Sequence, residues 1–151
     1  MQRSLTYKSA LRYTLWSFIY IIYASLGTIY LFLPPFIGVL FILFHKSLKQ
    51  KNSFLLFCII IDILAIEAQK GFLAFTLLIY FLLFERFIMP KIEKGINSKI
   101  FRDFLTIFLV YIGYLFFSAL VSQIFLLPKI GVDLYIAYYI VVEFFIVSLF
   151  L

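Results

Sequence analysis

From Leu15 to Leu151 the sequence is apolar almost without a break, and the polar residues that interrupt it come only as short patches. A chain built this way has no polar side to turn toward water. Of its 151 residues 66% are hydrophobic and 13% charged, too little polar surface to cover a soluble globule. The prediction is an all-α integral membrane protein, a single polytopic membrane domain over residues 1–151 with nothing left over for a soluble one.

The pair Pro34-Pro35 marks the first break, because two prolines cannot continue a regular helix and bias the residue before them away from helical backbone. The stretch Leu15 to Phe44 holds 30 residues, too long for one span and too short for two at about 20 residues each. The charges decide between one crossing and two. With two crossings, eleven of the 13 Lys and Arg residues share the amino-terminal side and only Lys70 and Lys129 lie opposite; with one, the split is five against eight. The positive-inside rule selects the first. Six transmembrane or partly re-entrant helices follow, with both termini cytoplasmic. Met1 to Arg12 is basic like the start of a signal peptide, but Leu26 to Tyr30 stays apolar where a mature chain would turn polar, so it is read as the start of a first span.

Thr14, Ser17, Ala24 and Thr28 recur near helical spacing on that span, a small stripe suited to close helix contact. The third segment, about Ser53 to Gln69, puts Leu55, Cys58, Asp62, Ala65 and Gln69 on one face at steps of three and four. A carboxylate inside an apolar helix costs about 2.5–3.5 kcal/mol on insertion scales, so Asp62 should face protein or water. Glu67 lies about 140° around the helix from Asp62 and is expected as a solvated charge beside Lys70.

Gly71 is expected to open the fourth segment, which ends near Glu85-Arg86 with Met89-Pro90 closing it. From Lys91 to Asp103 the chain is polar; Ile92, Ile96 and Ile100 predict a short interfacial amphipathic helix there, a docking point for anionic lipid or a cytoplasmic partner, or else topology-setting charge alone. The fifth segment, about Phe104 to Leu127 before Pro128, carries Tyr111, Tyr114, Ser118 and Ser122 on one face, and the Ser118–Ser122 pair lets another backbone approach. The sixth, about Val132 to Leu151, holds Glu143 with Tyr139 one turn before it. No Lys or Arg lies deep in any segment, which leaves Asp62 and Glu143 with protonation, hydrogen bonds from Tyr, Ser or Gln, or a partner subunit.

Chemistry is constrained by what the sequence lacks. His45 is the only histidine, at the inner end of the second segment, so bis-histidine haem and histidine metal sites are unavailable. Cys58 is the only cysteine, which excludes a disulfide framework. No phosphate loop, dinucleotide turn, zinc-protease pair or paired acidic metal motif occurs. No catalytic, cofactor-binding or metal-ligating residue is therefore assigned. The net charge of +6 is dispersed between apolar runs and makes no nucleic-acid surface.

The order of features resembles the MreD family, the small membrane component of the bacterial rod-shape complex. The residues that carry the resemblance are Leu33-Pro34-Pro35-Phe36 leading into IGVLFILF, the basic loop HKSLKQKN, the run Ile59-Ile60-Ile61-Asp62-Ile63-Leu64, and Gly71-Phe72-Leu73 nine residues after the Asp. They cover Leu26 to Phe84; Pro34-Pro35-Phe36 stands where the family commonly has Arg-Pro-Asp. The resemblance implies a non-enzymatic inner-membrane scaffold that binds a bitopic MreC-like protein and helps couple MreB-like filaments to peptidoglycan synthases. Pro34, Pro35, Asp62, Gln69, Gly71, Ser118, Ser122 and Glu143 are the structural or partner-binding candidates. The family's fold resembles vitamin-binding transporter subunits, so the alternative is a small-molecule-binding membrane subunit with a pocket between segments three, five and six. A proton-coupled component using Asp62 and Glu143 is a third possibility.

Overall fold

The computed structural model describes residues 2–71, 73–126 and 135–150, with side chains from residue 7 onward. Phe72, Pro128, Lys129 and Val132, and the side chain of Arg3, lie outside the described residues. Everything described is helix or connection, with no strand. The helices are α1 (Gln2–Ile29), α2 (Ile37–Lys49), α3 (Ser53–Lys70), α4 (Thr76–Phe87), α5 (Met89–Gly95), α6 (Lys99–Phe125) and α7 (Tyr135–Phe150).

The local chemistry of the connections sets these bounds. α1 stops ahead of Pro34-Pro35, and α2 starts only after Phe36 has turned the chain in left-handed backbone at φ 55°. Asn52 opens α3 by accepting the Leu55 N–H at 3.2 Å, an ordinary side-chain cap. Gly71 ends it. At φ 68° it occupies the left-handed position that glycine reaches without steric cost, and its N–H donates to the Glu67 carbonyl. This corrects the expectation that Gly71 opens the next segment: it closes α3, and α4 begins at Thr76 after Phe75 makes a second left-handed turn at φ 68°.

Met89-Pro90 likewise opens a helix where a stop was expected. Proline in the first turn surrenders no intrahelical bond, and α5 starts there. It runs only to Gly95, since Ile96 is extended (φ −128°, ψ 115°). The isoleucine repeat thus spans two elements: Ile92 is buried under α5, Ile100 is 61% exposed on α6, and Lys99, Arg102 and Asp103 ride the first turns of α6.

α1 packs on α3, α3 on α2 and α4, and α6 on α2, α4, α5 and α7, with α7 also touching α2. At 1.5 Å per residue α2 and α4 are only about 20 and 18 Å long, against about 40 Å for α6. These two short helices meet through aromatic rings: Phe41 lies edge-on to Phe81 at 5.1 Å and to Phe84 at 4.8 Å. Tyr80 lies across α6, donating to the Leu109 carbonyl at 3.0 Å, and Gly113 makes room for it; a Cβ there would meet the Tyr80 hydroxyl.

Large apolar side chains remain outside this core, among them Trp16, Phe18 and Ile22 on α1, Phe116, Leu120 and Ile124 on α6, and Phe145 and Leu149 on α7. Among the described residues, α6 is long and apolar enough to cross a membrane by itself, and α7 is apolar but shorter.

Candidate functional site

Among the described residues three carboxylates are buried, Asp62, Glu67 and Glu143, and each joins two or more helices. Glu143 projects from α7 onto the start of α2. Its Oε2 accepts the N–H of Gly38 at 2.8 Å and of Val39 at 3.2 Å, while its Oε1 accepts the Tyr111 hydroxyl from α6. The first amides of a helix have no intrahelical partner and the helix dipole is positive there, so a carboxylate suits both needs. α2 has no side-chain cap of its own at Phe36, and Glu143 supplies one from another helix. Gly38 permits the approach: a Cβ at that position would sit 2.7 Å from Oε2 and 2.9 Å from Ile107.

The linker before α2 is pinned from both flanks. Tyr20 donates to the Pro35 carbonyl at 2.7 Å and Tyr23 to the Pro34 carbonyl at 2.9 Å, and Tyr139 of α7 donates to the Leu31 carbonyl. Tyr23 also stacks on Phe36 at 4.7 Å. Pro34 and Pro35 therefore sit in a connection held by α1 and α7 together.

Glu67 treats α4 in the same way. Its Oε2 accepts the Phe75 N–H at 2.7 Å and its Oε1 the Leu77 N–H at 2.6 Å, with the Thr76 hydroxyl at 3.3 Å. The expectation of a solvated charge is corrected: Glu67 is 1% exposed. α3 ends within a turn of it, and the start of α4 returns over its carboxylate.

Asp62 fastens α3 to α1. Ser17 donates to its Oδ1 at 2.5 Å, and two turns along Gln69 donates to Ser25 at 2.9 Å. The face holding Cys58, Asp62 and Gln69 is thus turned to the small residues of α1. Ser118 and Ser122 are buried on the face of α6 that also buries Tyr111 and Tyr114, and the Ser118 hydroxyl donates to the Leu115 carbonyl at 2.9 Å.

At the far end of α2 the polar groups form an ion cluster. His45 lies with Nδ1 2.8 Å from the carboxylate of Glu85 (α4) and Nε2 3.2 Å from that of Glu93 (α5), and Lys49 pairs with the same Glu93 oxygen. The Lys49 hydrogen bond, with the Lys49 and His45 charges behind it, holds the Glu93 carboxyl below its ordinary 4.5. Sequence reasoning left His45 as a plain interfacial residue and missed the cluster, whose two acids lie 40 and 48 positions away.

A cavity of about 110 Å³ adjoins this cluster, lined by Phe41, Lys49, Glu93, Arg102 and Asp103 among others. A second, of about 10 Å³ beside Pro34, Pro35 and Gln69, has no space for more than a single water. Among the described residues no group of three or more His, Cys, Asp and Glu side chains is arranged to hold a metal ion. What the buried carboxylates do chemically is accept hydrogen bonds at helix junctions. Comparison with protein-family models, with curated proteins and with solved structures yields no match.

Proposed function

We propose that this chain is a multi-pass protein of a bacterial cytoplasmic membrane, six helices crossing or partly crossing it with both termini in the cytoplasm. Within that membrane it acts as a non-enzymatic scaffold of the cell-elongation machinery. Its partners are a bitopic MreC-like protein and, with it, MreB-like filaments and peptidoglycan synthases.

The observation that carries this reading is how the polar groups are used. Asp62, Glu67 and Glu143 are each engaged in fastening one helix to another, while the outward faces of α1, α6 and α7 stay apolar. That pattern suits a body surrounded by lipid. α2 and α4, at about 20 and 18 Å, fall short of a hydrocarbon core of about 30 Å, so each requires irregular backbone at membrane depth. Such backbone is tolerated where protein satisfies it. Tyr20, Tyr23 and Tyr139 do so ahead of α2, and Glu67 does so ahead of α4. The scaffold role itself rests on the resemblance carried by Pro34-Pro35, Asp62 and Gly71.

The test has two arms. Affinity-tagged full-length protein extracted in mild detergent is expected to retain an MreC-like partner, and its depletion in a rod-forming host is expected to round the cells. Unchanged rod shape after deletion, together with no such partner, contradicts the proposal.

A further inference from the structure

The cavity between α2, α5 and α6 is floored by Phe41, Ile42 and Met89, and its polar lining mixes both signs: Lys49, Arg102 and His45 beside Glu93 and Asp103. A bare anion or a bare cation would meet like charge as well as opposite charge there. The four charges are not equally engaged. Lys49 and Glu93 are paired with each other, and Glu93 also meets His45. Arg102 and Asp103 are half-buried, and neither side chain has a hydrogen bond among the described residues, although the Lys99 and Arg102 charges on the same helix act on Asp103. A guanidinium carries five donors and no acceptor, an ionised carboxylate only acceptors. One small space thus presents unfilled donors and unfilled acceptors together.

We infer that this cavity binds a phosphate ester carrying a primary ammonium, the chemistry of an aminophospholipid headgroup and of its free soluble form. The phosphate sits on Arg102 and Lys49, since guanidinium forks match phosphate oxygens. The ammonium sits on Asp103 and Glu93. The cavity is small, about 110 Å³ against the ~300–1,000 Å³ of drug-sized ligand pockets, which favours a compact polar group over a larger ligand. The lipid as source rests on the membrane reading above, which puts this end of the helices at the cytoplasmic leaflet.

The experiment reconstitutes the full chain in nanodiscs with equal phosphatidylethanolamine, phosphatidylcholine and phosphatidylglycerol of identical acyl chains, and reads retained lipid by native mass spectrometry. Phosphatidylethanolamine is expected to be enriched about tenfold over phosphatidylcholine, whose trimethylated ammonium keeps the charge but donates nothing, and over phosphatidylglycerol, which lacks the cation. Arg102→Gln and Asp103→Asn are each expected to abolish the enrichment without lowering the thermal midpoint. Equal retention of the three lipids by the unaltered chain overturns the inference. Added O-phosphoethanolamine distinguishes the sources: displacement of the retained lipid shows that the soluble form is accepted, and persistence shows that the lipid is required; both uphold the site. A chain that stays in solution without detergent overturns the membrane reading instead. In that case calorimetry with O-phosphoethanolamine tests the cavity alone, and no binding overturns it.

Discussion

α2 and α4 begin alike and are held differently. Each is a short helix entered through a left-handed phenylalanine, Phe36 or Phe75, with no side-chain cap of its own, and each has its first amides satisfied by a buried glutamate. For α4 the glutamate is Glu67, eight to ten residues back on the preceding helix, so the cap is a local closure of one hairpin. For α2 it is Glu143, more than a hundred residues away, with Tyr111 bound to the same carboxylate. One carboxylate therefore joins α2, α6 and α7. The same device that finishes a turn at Glu67 closes the whole bundle at Glu143.

The largest effect is expected at that long-range junction. Glu143→Ala leaves the Tyr111 hydroxyl and two α2 amides without their acceptor at a junction of three helices, and each unsatisfied buried donor costs on the order of 1–3 kcal/mol. A lowered thermal midpoint in detergent, with α7 becoming accessible to protease, is the expected outcome. Glu67→Ala should cost on the order of 1–3 kcal/mol, the penalty of unsatisfied buried donors, and leave α7 protected. A protease-sensitive α7 in that variant would erase the distinction between the two caps.

Gly38→Ala sharpens it, because the added Cβ meets Glu143 and Ile107 at under 3 Å. Overpacking of this kind costs about 1–3 kcal/mol. Since it disturbs the contact that Glu143→Ala removes, the double variant should be less destabilised than the sum. Asp62→Asn is milder: the amide oxygen still accepts from Ser17, and the loss should stay near 1 kcal/mol.

The smallest effect is expected at Glu93. Its folded-state pKa is depressed, so its link to Lys49 contributes fully above the ordinary value of 4.5 and is lost as pH falls through the folded one. Protection of α5 amides should drop as pH falls below that ordinary value.

Long-range partners separate what was legible in the sequence from what was not. The Pro34-Pro35 break and the α3 face holding Asp62 and Gln69 are read from backbone restriction and helical period, and the structure sets that face against Ser17 and Ser25. Glu67 misled because its angle from Asp62 and its neighbour Lys70 describe α3 alone, whereas its burial comes from the returning start of α4. Gly71 belongs to the other helix from the one its sequence position suggests, since a left-handed glycine finishes α3 while Phe75, a residue with no propensity for the task, enters α4. His45 could not be paired from sequence, where nothing ties it to Glu85 or Glu93. An acid pair spaced about two helical turns apart around Met89-Pro90 was the available hint.

The most direct measurement is hydrogen exchange, resolved to short peptides, on Glu143→Ala and Glu67→Ala beside the unaltered chain. Two separately capped short helices predict reciprocal losses: faster exchange at 38–41 but not at 75–79 in the first variant, and the reverse in the second. Undiminished protection of both segments in both variants, or their joint loss in either one, would contradict the account.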